Sequence, residues 1–219
     1  MLKNVLAAVM LLIGIIFSFA GIADAAQPTD NRLDFTILKN GKEVGVWHVK
    51  FRQVGANLKV SVRTKIHLST LGFEYYNYKQ ESHETWKGDQ LIGLTSFIVE
   101  DTTISKNEYR MILREKDGLL RGELDEQPIE ASVDQVLSSL WDDRILLADH
   151  VMHTANGQKL AITVADAGVE VLDVLGQAVP TRHYQIRGQF NRDVWFDGNY
   201  ILRRVRWQDG GNVMEYVPR

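Results

Sequence analysis

Hydrophobic and polar positions alternate along most of this chain. Leu58, Val60, Val62, Thr64, Ile66 and Leu68 are interleaved with Lys59, Ser61, Arg63, Lys65 and His67. Successive side chains of a strand point to opposite faces, so this stretch reads as a strand with one buried face. A second long strand is expected over about 73–86, turning at Lys87-Gly88-Asp89 into 90–99. Residues 108–115 turn at Asp117-Gly118 into 119–124. Residues 159–165, 169–174, 179–188, 193–196, 200–208 and 212–217 repeat the pattern. They are separated by Ala167-Gly168, Gly176, Gly188, Asp197-Gly198 and Asp209-Gly210-Gly211. Such spacing indicates an antiparallel meander, not helical crossovers.

The stretch LDFTILKNGKEVGVWHVKF, residues 33–51, adds curvature. Asn40-Gly41 suits a two-residue type I′ turn, whose central residues both need positive φ. That turn would pair Ile37 with Val44, Phe35 with Val46 and Leu33 with His48. Beyond it, Trp47, Val49 and Phe51 carry the apolar character on the opposite face. A β-bulge or sharp coil near Gly45 accounts for the switch, and burial on both faces is the alternative. The expected fold is mainly β, a single highly curved antiparallel sheet or half-barrel meander. One segment departs from it. Ser132 and Gln135 have capping-box spacing, and Val133, Val136, Leu137, Leu140 and Trp141 recur at helical intervals. This predicts one helix over about 133–147, bracing the sheet with its apolar stripe.

The N-terminus sets the compartment. Lys3, an apolar run from Val5 to Ala20 and Ala23-Asp24-Ala25 have the layout of a secretory signal peptide, cleaved after Ala25. The rival is an uncleaved anchor, but a spanning helix wants about 20 apolar residues and Asp24 ends this run early. Residues 1–25 are thus expected to be removed, leaving 26–219 as a single β-rich periplasmic domain of a bacterial protein. A chain of that size buries roughly 70% of its unfolded surface. A net charge of −3, together with export, argues against nucleic acid as a partner. Cysteine is absent, which excludes a disulfide framework and thiolate chemistry.

No nucleophile elbow, H-E-x-x-H, Walker loop or dinucleotide fingerprint is present, so no catalytic residue and no cofactor is assigned. His150 and His153, three apart beside Asp149, would share a face on a helix and are weak metal candidates. Two ligands do not make a site, and ordinary histidines are the better reading. Adjacent Asp142 and Asp143 diverge by about 100° on a helix and read as a solvated face or cap. Glu74-Tyr75-Tyr76-Asn77-Tyr78 puts Tyr76 and Tyr78 on one strand face. Tyrosine buries a ring yet offers a hydroxyl, which suits a ligand wall, although cross-strand aromatic packing is the favoured reading of this stretch. Arg203, Arg204 and Arg206 read first as a charged outer face paired with acidic neighbours.

The second half carries SSLWDDRILL, GQAVPTRHYQIRGQ, DVWFDGNYILRRVRW and DGGNVMEYV. With Gly41 and Gly45 forming G-x-x-x-G in the opening hairpin, this order resembles an uncharacterised family of exported bacterial β-rich proteins. That family has a C-terminal W-[YF]-D motif, matched here by Trp195-Phe196-Asp197. The resemblance implies a curved antiparallel sheet like the half-barrels of periplasmic lipoprotein carriers, and it implies no catalytic residue. The expected function is a non-catalytic binding or carrier module for an apolar or amphipathic, lipid-like ligand. Trp47, Tyr76, Tyr78, Trp86, Trp141 and Trp195 are the candidate lining residues. The alternative is a structural protein of the envelope with an envelope protein as partner. A hydrolase with His183 near Asp197 is less favoured.

Overall fold

The computed structural model describes residues 26–70 and 73–219; the expected signal peptide lies outside them. Eight strands come before an irregular connection and six after it. The first eight are β1 (Arg32–Lys39), β2 (Lys42–Val54), β3 (Asn57–Thr70), β4 (Phe73–Lys87), β5 (Gln90–Thr102), β6 (Lys106–Lys116), β7 (Leu119–Leu124) and β8 (Gln127–Ser132). The last six are β9 (His150–Met152), β10 (Lys159–Val174), β11 (Gln177–Gly188), β12 (Arg192–Asp197), β13 (Leu202–Asp209) and β14 (Asn212–Pro218). All fourteen form one antiparallel sheet, in the order β8-β7-β6-β5-β4-β3-β2-β1-β14-β13-β12-β11-β10-β9. Two meanders are thus stitched along β1 and β14, and the sheet stays open between β8 and β9.

The sheet curls strongly. Tyr78 on β4 and Arg192 on β12 line one cleft, although six steps of strand order separate them. In a flat sheet that is roughly 29 Å at the usual strand spacing. The two edges also approach each other: a Cβ built on Gly157, beyond β9, would lie 2.4 Å from Cδ1 of Ile129 on β8. A bulged seam helps set the curve. Asn40 and Gly41 have φ of 50° and 79°, as the expected turn requires. The register then slips once, pairing Ile37 with Gly45, Phe35 with Trp47 and Leu33 with Val49. The simple register expected from the turn is therefore wrong by one residue beyond Leu38. The bulge lets Trp47, Val49 and Phe51 join Leu33, Phe35 and Ile37 in the core. Only glycine fits at 45, because a Cβ there would sit 2.0 Å from the Lys65 carbonyl oxygen.

Two further sequence expectations need correction. Residues 159–174 form one strand, with a register shift near Gly168 in place of a turn. The helix over 133–147 does not form. What remains is a 3-10 turn, Asp143–Leu147, capped by Asp142, whose Oδ1 accepts from Arg144 N at 3.0 Å. Upstream, the backbone bonds to strands: Leu91 N donates to Val133 O, Met152 N to Val136 O, and Ser138 N to Met152 O. Leu140 has φ of 65°, which no right-handed helix accepts. The segment lies inside the curled sheet, so Val133, Leu137, Leu140 and Trp141 are buried without needing a helical stripe. Extended backbone wins because partners on β5 and β9 satisfy it. Asp143 accepts from Ala26 N at 3.0 Å, tying the start of the described chain to this plug.

Candidate functional site

Inside the curl, a cleft of about 180 Å³ lies between β2–β4 on one side and β12–β14 on the other. Trp47, Tyr76 and Tyr78 line it, so three of the six expected residues do converge. Its aromatic wall is continuous. Trp47 meets Phe35 edge-on (5.3 Å between centroids) and stacks on Tyr216 (5.5 Å), which meets Trp207 edge-on (5.2 Å). Arg192 lies over Trp207 at 4.5 Å and over Phe190 at 4.4 Å, within cation–π range of both rings. Register explains the gathering. β1 separates β2 from β14, and Ile37 faces Gly45 on one side and Tyr216 on the other.

The polar groups of the cleft form a chain. Tyr78 Oη donates to Gln80 Oε1 at 3.1 Å, and Gln80 Nε2 donates to Thr154 Oγ1 at 2.9 Å. Thr154 N in turn donates to Ser138 Oγ at 3.2 Å. Burial raises the pKa of the Tyr76 and Tyr78 phenols, helped by the Glu100 carboxylate, and pushes Tyr216 up to about 12. All three are therefore neutral hydroxyls at physiological pH. His153 also lines the cleft, and burial followed by the Arg192 charge lowers its pKa. It stands just past β9, beyond His150, whose Nδ1 bonds to Asp149. The helix that would have put both histidines on one face is absent.

Trp86 and Trp141 serve a different purpose. Both are 1% exposed and meet edge-on at 5.9 Å. Their indole N–H groups both donate to Oε2 of Glu84, each at 2.9 Å. Glu84 is 1% exposed, and burial pushes its carboxyl up to about 7 against those two donors. Among the described residues its Oε1 and the hydroxyls of Ser82 and Ser96 have no hydrogen-bond partner, and the Ser139 hydroxyl stands beside the carboxyl. Arg144 covers this core, with its guanidinium 4.5 Å over Trp86 and Nε and Nη2 on buried Asp142. These tryptophans thus pack into the interior and do not line the aromatic cleft.

Trp195 points to the other face of the sheet. It stacks on His183 at 4.2 Å and donates to Glu170 Oε2 at 2.9 Å. His183 bonds Glu170 through Nδ1 (3.0 Å) and Asp193 through Nε2 (3.1 Å). Both ring nitrogens are occupied, so neither is free to move a substrate proton. Asp197 is not part of that cluster. Its Oδ1 accepts from Asn199 N and Ile201 N, and its Oδ2 from Arg203. Trp195-Phe196-Asp197 therefore combines an outer stack, a core ring and a turn clamp. Arg204 and Arg206 pair with Glu215, as the charged-face reading expects. Another hollow, about 720 Å³, lies where residues 27–35 and Pro218-Arg219 meet the β10–β11 tip. Its Arg32 and Arg203 are already paired, with Asp30 and Asp197.

Sequence reasoning missed Phe190, Arg192, Trp207 and Tyr216. The alternation of 200–208 and 212–217 marked the strands of the last two, but nothing local linked them to Tyr78.

A family model described as "Domain of unknown function (DUF6134)" matches residues 35–219. The crystal structure of a β-barrel-like protein of the domain of unknown function DUF1849, from Brucella abortus, has a similar fold. Its TM-score is 0.62 at 10% sequence identity, covering 86% of this chain and 94% of that one. No curated protein matches the chain.

Proposed function

The chain belongs to the DUF6134 family, and from that premise we propose a non-catalytic binding module for an amphipathic, lipid-like ligand, acting as a carrier in the periplasm. The aromatic cleft inside the curl supports this reading. Trp47, Trp207 and Tyr216 line it together with tyrosine, serine and threonine side chains. Such a mixture takes up a molecule with an apolar body and a polar end. At about 180 Å³ the cleft falls short of the roughly 300–1,000 Å³ that encloses a drug-sized ligand. It therefore takes one end of the molecule. The rest of the molecule emerges past the half-buried part of the lining, which includes Ile66, Tyr76 and Trp207.

Titrating the protein with decanol and decanoate below their aggregation concentrations, with tryptophan emission as readout, tests this. Saturable binding of at least one is expected, diminished by Trp207→Ala. If neither binds and native mass spectrometry of the purified protein shows no retained amphiphile, the carrier reading fails.

A second reading, an envelope interaction protein, draws on a separate feature. The β10–β11 hairpin runs past its neighbour, since β11 pairs with β12 only from Thr181 onward. On it Val169, Val171 and Leu175 are 72%, 65% and 69% exposed. Exposed apolar clusters of this kind mark contact surfaces. Here Val171→Asp should abolish cross-linking to an envelope partner; an unchanged cross-linking pattern counts against this reading.

A further inference from the structure

The lining of the cleft contains sixteen residues, and none is Asp or Glu. It does contain Arg192 and His153, with the hydroxyls of Thr64, Tyr76, Tyr78 and Tyr216. Arg192 has no carboxylate within ion-pair distance among the described residues. Asp209 is near enough to be felt but does not bond to it. Among the described residues only one of the five guanidinium N–H donors reaches a protein acceptor, the Asn191 carbonyl at 2.7 Å. Every other arginine on β11–β13 has an acidic partner: Arg182 has Asp166, Arg187 has Asp193, Arg203 has Asp197, and Arg204 and Arg206 share Glu215. An arginine held between two rings, with its charge unmatched, is paying a desolvation cost that a bound anion would repay.

We infer that Arg192 is an oxyanion-binding residue, and that the ligand end entering the cleft is a carboxylate or a phosphate monoester. This rests on the carrier reading and specifies its ligand. The guanidinium edge presents two parallel N–H donors to the oxyanion, a geometry that carboxylates and phosphates share. Tyr216, whose hydroxyl makes no hydrogen bond among the described residues, adds a neutral O–H donor next to Trp207. The stack of Phe190, Arg192 and Trp207 fixes the plane of the guanidinium, so little side-chain freedom is lost when the anion arrives. The alkyl part then lies along Trp47 and Ile66 toward the half-buried side of the cleft.

Affinities of decanoate, decyl phosphate, decanol, acetate and inorganic phosphate are compared for the wild type, Arg192→Met and Arg192→Lys. In the wild type both anionic amphiphiles should bind at least about tenfold tighter than decanol. Arg192→Met should erase that preference while decanol affinity stays within about twofold, and Arg192→Lys should restore part of it. Unchanged melting temperature in Arg192→Lys guards against a folding artefact in the pair. Equal binding of decanol and decanoate by the wild type would overturn the oxyanion assignment and leave the carrier reading standing. Absence of binding by every amphiphile would remove the carrier reading itself. Inorganic phosphate binding as tightly as decyl phosphate would show that free anion, not an amphiphile, is the ligand.

Discussion

Trp141→Ala should cost the fold about 5 kcal/mol or more, enough to unfold much of the protein at 37 °C. Removing a buried tryptophan ring costs roughly 3–5 kcal/mol through lost transfer energy and the cavity left behind. Trp141 also contacts Phe51 edge-on at 5.3 Å, so the void would open beside β2 and not at a yielding surface. A further penalty follows because Glu84 would lose one of its two indole donors, worth roughly 1–3 kcal/mol when the acceptor stays buried. Against a total stability of about 5–15 kcal/mol, the sum is decisive. Urea denaturation followed by circular dichroism measures it. Trp141→Phe separates the two parts, since it keeps most of the ring burial and drops the donor. A loss below about 1 kcal/mol in Trp141→Ala would mean that residues 133–142 are not packed into the curl.

Glu84→Gln should make the protein more stable at pH 8.5, by about 3 kcal/mol, and leave it nearly unchanged at pH 4.5. The carboxyl of Glu84 titrates near 7 in the folded chain and near 4.5 when exposed. Between those values the folded state holds a proton that the unfolded state has released, so stability falls as pH rises. The loss is complete above about pH 7, and each unit of separation contributes about 1.4 kcal/mol. Below pH 4.5 both states are protonated and the contribution is fully present. Gln keeps an acceptor for the two indoles and supplies an N–H₂ beside the Ser139 hydroxyl. Stability profiles of the wild type and Glu84→Gln that run parallel from pH 4 to 9 would refute the assignment.

Most strands were legible in the sequence, because alternation and glycine turns are local and strand pairing in a meander follows chain order. Where tertiary contacts decide, the reading failed. Val133 to Trp141 has helical spacing, yet Leu91 and Met152, distant in sequence, supply the backbone partners that hold it extended. β8 and β9 escaped notice as short, weakly patterned edge strands. The hairpin at Asn40-Gly41 was predictable in its turn and its bulge but not in the register, which the Lys65 carbonyl helps to set. The candidate site was half visible. Trp47, Tyr76 and Tyr78 were picked out as amphipathic aromatics, and they converge. Trp86 and Trp141 belong to the Glu84 core, and Trp195 belongs to the opposite face. Arg192 gave no local signal, because its significance lies in the absence of a carboxylate across the cleft.

The stitching of β1 to β14 also governs the order in which the molecule can assemble. Phe35 pairs with Pro218 and Ile37 with Tyr216, so contacts at the middle of the sheet span nearly the whole chain. Closing so long a loop is entropically costly and slows folding. A nascent chain that has not yet reached Asn212 can build the β2–β8 meander. It must leave β1 with one raw edge, carrying Phe35 and Ile37, open to pairing with a neighbour. Completion of the core therefore waits on the final hairpin, β13–β14. Until that hairpin docks, the polypeptide is an unsealed sheet.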